Sequence, residues 1–143
     1  MSTQTIQEDA KLLEILRSAK TIAVVGASPD PNRDSNMIMN YLVRVGYDVI
    51  PVNPNYTEVL GRKCYSTVSA IGKPIDIVDV FRRSEYVEEA ARDAVTSGAK
   101  VLWMQLGVVN ESAAQYAADH GIKVVMNRCI MVEHRRLVKT AVR

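Results

Sequence analysis

Cysteine is scarce in this chain of 143 residues: only Cys64 and Cys129 occur, in no C-x-x-C pair and no zinc-like spacing. Two thiols so placed exclude a disulfide scaffold and fit a reducing, cytoplasmic setting. Charge of one sign is lacking as well. Eighteen Lys plus Arg stand against 16 Asp plus Glu, mixed along the chain, and a formal net charge of +2 raises no large field for nucleic acid or a membrane surface. No apolar run approaches the roughly 20 residues of a membrane span, and the polar, acidic start from Met1 to Ala10 has no signal-peptide pattern. Internal repeats, low-complexity tracts and Gly/Ser/Pro-rich linkers are absent, so a single domain over 1–143 is expected, with 1–8 disordered. No Ser-His-Asp order, metal cluster or paired-carboxylate motif stands out, and no intrinsic catalytic activity is expected.

What is present is a rhythm. The chain is 48% hydrophobic, enough for one substantial core, and apolar runs of strand length alternate with segments of helical period. Strands are expected at Thr21–Val25, Asp48–Val52, Ile75–Phe81, Val101–Leu106 and Lys123–Met126. Helices are expected at Asp9–Ala19, Asp34–Val45, Glu85–Ser97 with Ser84 as N-cap, Glu111–His120 with Asn110 before it, and from about Met131 onward. Between Asn55 and Tyr65 the pattern is irregular, with a short helix expected near Thr67–Ile71. The reading is an α/β domain: a doubly wound parallel sheet of about five strands with flanking helices.

In such a sheet, ligands sit outside the carboxyl ends of the strands, near the point where strand order reverses. Those ends carry Gly26, Ala27 and Ser28; Asn53 and Pro54; Phe81, Arg82 and Arg83; Gln105 and Gly107; and Asn127, Arg128 and Cys129. The set is polar, cationic and almost free of carboxylates. At the first end, a small-residue turn into a helix lets backbone N–H groups approach a phosphate, with Arg33 adding charge. Gly26 stands alone where a dinucleotide fingerprint has three spaced glycines, so the turn by itself fits an empty tight turn equally well. After the second strand, NAD sites usually place Asp or Glu, whereas Asn53 and Pro54 occur here. A phosphorylated ribose, as in NADP or coenzyme A, fits better, with Arg33, Arg62 and Lys63 as available cations. Turn chemistry alone also accounts for Asn53 and Pro54. Phe81 and Arg82 could flank an adenine, although a lone aromatic there is more often core. Arg128 beside Cys129 would favour a thiolate, although an inert buried cysteine is the commoner case.

The strings TIAVVGAS (Thr21–Ser28), GYDVIPVNP (Gly46–Pro54), IDIVDVFR (Ile75–Arg82), VLWMQLG (Val101–Gly107) and NRCIMVEH (Asn127–His134) cover nearly the whole chain in one order. Together they resemble the stand-alone coenzyme A (CoA)-binding proteins of the YccU type. That family is similar in its Rossmann-like fold to the CoA-binding domain of the succinyl-CoA synthetase α subunit. The resemblance implies that Gly26, Ala27, Ser28 and Arg33 approach phosphates, that Asn53 and Pro54 border the nucleotide, and that Phe81 and Arg82 line the adenine. It implies further that Gln105, Gly107, Asn127 and Cys129 face the pantetheine arm. The synthetase's phosphohistidine domain has no room here, so ligase activity is not implied, and His120 and His134 are expected to be structural or exposed. The expected function is non-covalent binding of CoA or an acyl-CoA by a carrier, sensor or regulatory module. The alternatives are a thiol regulator forming a Cys129–CoA mixed disulfide and an NADP-binding oxidoreductase. A homodimer or a protein partner is left open.

Overall fold

The computed structural model describes residues 5–139. The expectation of disorder over 1–8 lies outside the described residues for 1–4, while Ile6 donates its N–H to Val124 O at 2.8 Å. Five strands, β1 (Thr21–Val25), β2 (Asp48–Val52), β5 (Ile77–Val80), β6 (Val101–Met104) and β7 (Lys123–Val125), form a parallel sheet in the order β2-β1-β5-β6-β7. The strands read as continuous apolar runs such as VLWM because both faces of the sheet are covered: every residue of β5 and β6 is buried.

The order reverses between β1 and β5. From β1 the chain steps outward through α2 (Asp34–Arg44) to β2, then returns across the sheet to β5. Helices α1 (Asp9–Ser18), α2 and α5 (Ile130–His134) cover one face, where Leu12, Leu16, Met39, Leu42 and Ile130 meet Ile22, Val24 and Trp103. On the other face α3 (Val87–Ser97) and α4 (Glu111–Asp119) bring Ala91, Ala94, Ala114 and Ala117 onto Val78, Val80, Leu102 and Val124. Their alanines let these two helices sit close to the sheet. No helix among the described residues is long and apolar enough to cross a membrane.

Three local expectations change. The irregular stretch before Tyr65 contains a hairpin, β3 (Glu58–Val59) and β4 (Arg62–Lys63), joined by Leu60 and Gly61, both at positive φ. This primed turn suits strand twist, but it is built here on a leucine rather than on the Asn-Gly pair that would announce it. Ser84 is no N-cap: its Oγ accepts Val109 N–H at 3.0 Å, and a 3₁₀ turn over Ser84–Tyr86 precedes α3. Strand β6 stops at Met104, leaving Leu106 in a turn. By contrast Asn110 does cap α4, accepting Ala113 N–H at 2.9 Å.

Candidate functional site

The reversal leaves the carboxyl ends of β1 and β5 side by side with their following chains diverging, and a cleft opens above them. A cavity of about 770 Å³ occupies it. Its floor is the row Gly26, Phe81 and Gln105, one residue beyond the ends of β1, β5 and β6. Gly26 has φ +90°, and a Cβ built on it would stand 3.4 Å from Phe81 Cβ, so the turn needs glycine for its backbone angle and also has little space to spare.

The loop from Ala27 to Arg33 is held by its own polar groups. Ser28 Oγ accepts Asp30 N–H at 3.1 Å, Asp30 Oδ1 accepts Asn32 N–H at 2.9 Å, and Asn36 donates to Ser28 O at 2.9 Å. This bracing delivers the chain to α2, whose N-cap position is Arg33 in extended conformation, with no side chain capping the helix. The first amides of α2 therefore lack the partner that a Ser, Asp or Asn would supply, and the helix end carries partial positive charge toward whatever lies before it. Asp34 and Ser35, at that end, line the cavity. Arg33, Arg82 and Arg83 line it too, against Asp34 as its one carboxylate. Arg82 lies over the ring of Tyr86 at 5.1 Å, a cation–π contact.

Of the twelve residues singled out in the sequence, eight come together around this cavity: Gly26, Ser28, Arg33, Asn53, Phe81, Arg82, Gln105 and Cys129. The other four sit differently. Ala27 is buried, and its carbonyl accepts Asn53 Nδ2 at 2.9 Å, tying the β1 loop to the β2 loop. Pro54 lines a smaller adjoining cavity of about 390 Å³ on the α3 side, which shares Gly26, Asn53, Asn55, Arg82 and Tyr86 with the first. Gly107 and Asn127 bond to each other, N–H to Oδ1 at 2.7 Å, and line neither of these two cavities. Arg62 and Lys63 turn away as well: Arg62 donates to Val49 O at 3.3 Å and Lys63 sits over Tyr65. Asn55, Tyr56, Tyr86, Met37 and Met131 join the lining without having been singled out, because they come from loops and helix starts that no strand end announces.

The far side of the cleft is stitched down. Gln105 Oε1 accepts Ile130 N–H at 3.0 Å, Arg128 N–H reaches Met104 O at 3.2 Å, and Trp103 Nε1 donates to Arg128 O at 2.8 Å. These bonds set Cys129, half-buried, against the cavity at the N-cap position of α5. The Arg128 guanidinium is engaged elsewhere, with Glu133 at 3.0 Å. Cys64 is buried under the β2 end, where burial pushes its thiol up from the usual value. His120 closes α4, and His134 is buried with Nδ1 2.7 Å from Tyr41 OH, so neither histidine faces the cleft.

Two residues beneath the floor, Asp79 on β5 stands between Val24 and Trp103 in register. It is fully buried, and neither carboxylate oxygen has a hydrogen-bond partner among the described residues. Burial pushes its pKa well above the ordinary value, which favours the neutral acid.

Comparison with known proteins agrees with this fold. A family model described as a CoA-binding domain matches residues 20–135. The uncharacterized protein YneT of Bacillus subtilis is 46% identical over 125 residues, covering 87% of this chain and 93% of that protein. An ADP-forming acetate–CoA ligase of Archaeoglobus fulgidus is 27% identical over 128 residues, of which this chain spans only 19% of the ligase. Among solved structures, a hypothetical protein from Pyrococcus horikoshii superposes with a TM-score of 0.91 at 46% identity, covering 96% of this chain and 99% of that one. The apo acetyl-coenzyme A synthetase of Ca. Korarchaeum cryptofilum gives 0.69 at 29% identity, covering 78% of this chain and 27% of that one.

Proposed function

Because the chain belongs to the family of CoA-binding domains, we propose that it binds CoA without covalent chemistry in the cleft above β1 and β5, as a carrier, sensor or regulatory module. The observation that carries the reading is the uncapped start of α2 facing a cavity with three arginines and one carboxylate. An anion of several charges fits that set; a neutral metabolite would leave the arginines without a counterpart. The diphosphate would lie against Ser28 and the first amides of α2. Arg33 would meet the 3′-phosphate, and Phe81 with the Arg82–Tyr86 stack would border the adenine. The pantetheine arm would cross β5 and β6 toward Gln105 and Cys129. None of these roles requires a proton transfer or a nucleophile, and the reading assigns no catalytic step.

The β2 end argues against NAD, since Asn53 spends its side chain on Ala27 O and Asn55 N–H and presents no carboxylate to a ribose. Calorimetric titration of the reduced protein with CoA, 3′-dephospho-CoA, NAD and NADP tests the reading. CoA should bind saturably, and loss of the 3′-phosphate or Arg33→Ala should each cost about 1.5–3 kcal/mol, the usual worth of a hydrogen bond to a charged group. NADP binding without CoA binding would reinstate the oxidoreductase alternative.

A further inference from the structure

The strand order gives the cleft two chemically different ends. Toward β2 and β1 the lining is Ser28, Asn32, Arg33, Asn53 and Asn55; toward β6 and β7 it is Leu106, Val108, Cys129 and Met131, met from above by Met37 and Ile38 of α2, which packs against α5. Resting on the CoA reading, we infer that the preferred ligand is an aliphatic acyl thioester of CoA rather than the free thiol, with its acyl chain lying on the apolar end.

Leu106 carries the argument. Its side chain is 69% exposed, yet it is not loose. The turn Gln105–Val108 is closed by Val108 N–H to Gln105 O at 2.8 Å, Gly107 takes φ +87° to complete it, and the Gly107 N–H is clamped on Asn127. The flanking residues Gln105 and Val108 are both buried, so the leucine is held at the tip and cannot fold back onto the core. Met37, 50% exposed, stands on the opposite wall. Two apolar side chains fixed in water on the walls of one concavity, with buried Ile38, Val108 and Met131 in the same lining, form a surface that an alkyl chain would desolvate. The unbranched methionines can adjust to its length. The reach agrees as well: an arm anchored by its phosphates at β1 crosses two strand spacings, about 10 Å, before reaching the β6 end.

The test is titration of the wild-type protein and Leu106→Ser with CoA, acetyl-CoA and hexanoyl-CoA, with light scattering on both proteins. A fully buried methylene tightens binding about fourfold and a half-buried one about twofold, so hexanoyl-CoA should bind on the order of tenfold tighter than acetyl-CoA. Leu106→Ser should remove most of that difference. Equal or weaker binding of hexanoyl-CoA than of CoA overturns the inference while leaving CoA binding intact, and an acyl preference untouched by Leu106→Ser overturns its placement. Failure of all three ligands to bind rejects the CoA reading itself. Loss of a dimer in Leu106→Ser, without any acyl preference, would make the patch an interface between copies and overturn the acyl assignment.

Discussion

Replacing Asp79 by asparagine should change how stability depends on pH, in a direction opposite to that of most carboxylates. Burial favours Asp79 as a neutral acid in the native chain, because an unpaired carboxylate between Val24 and Trp103 would carry its full desolvation penalty. In the unfolded chain the same group ionises near its ordinary value of 3.8. Below that value both states are protonated and the side chain contributes nothing to pH dependence. Above it, unfolding releases a proton, so stability falls as pH rises, by about 1.4 kcal/mol for every pH unit over which the folded chain keeps the proton. Once pH passes the raised folded-state value, the loss levels off. Asp79→Asn keeps the shape and two polar groups but has no such proton. Urea unfolding of both proteins at pH 5, 6 and 7 isolates the effect, since every other titrating group cancels in the difference. The asparagine variant should gain on the wild type as pH rises. Parallel stability profiles would show that Asp79 is ionised when folded and would refute the reasoning.

Gly26→Ala should both destabilise and disable the site: a φ of +90° costs an L-residue about 1–3 kcal/mol, with the added Cβ in contact with Phe81. Chemical unfolding and CoA titration of the same variant should show both losses, and unimpaired CoA affinity would remove Gly26 from the phosphate turn. Under the thiol-regulator alternative, exposure of the reduced protein to CoA disulfide would load one CoA, released by reductant, as the Cys129 thiolate attacks one sulfur and expels the other half as CoA thiolate, whereas the non-covalent reading expects no adduct. That alternative requires the adduct, read by intact mass, to be lost in Cys129→Ser and kept in Cys64→Ser, because the native Cys64 thiol is buried and its pKa raised. An adduct persisting in Cys129→Ser would end the thiol-regulator alternative as stated.

The sheet was legible because both of its faces are buried: TIAVV, DVIPV and VLWM admit few other placements, and the stops at Gly98 and Gly121 adopt the positive φ that ends a helix. What eluded sequence reasoning shares one cause, side chains spent on partners distant in sequence. Ser84 looked like a cap because its type suits one, yet it serves Val109. Gly107 and Asn127 stand past strand ends where ligands gather, yet each satisfies the other. The run VLWMQL gives no sign that Leu106 leaves the sheet, since an apolar letter reads the same in a strand and at an exposed turn. Asp79 hides inside the apolar run IVDV, where periodicity records a strand and says nothing about an unpaired acid. The cationic side of the cleft was easier: Arg82 stands just past β5 and Arg33 closes the loop that follows β1, and only their convergence needed the fold.

Trp103 is the sole tryptophan of the chain. It lies wholly out of water beside Asp79, two residues under the cleft floor, with its indole N–H on the carbonyl of Arg128, the residue before Cys129. The molecule thus contains a single tryptophan, separately excitable from its six tyrosines, wired to both events of interest. Ionisation of Asp79 would alter the field on the indole, and any ligand that shifts the Arg128–Cys129 segment would strain its one hydrogen bond. Emission from the unlabelled protein can therefore follow occupancy and protonation together, and the asparagine variant separates the two signals.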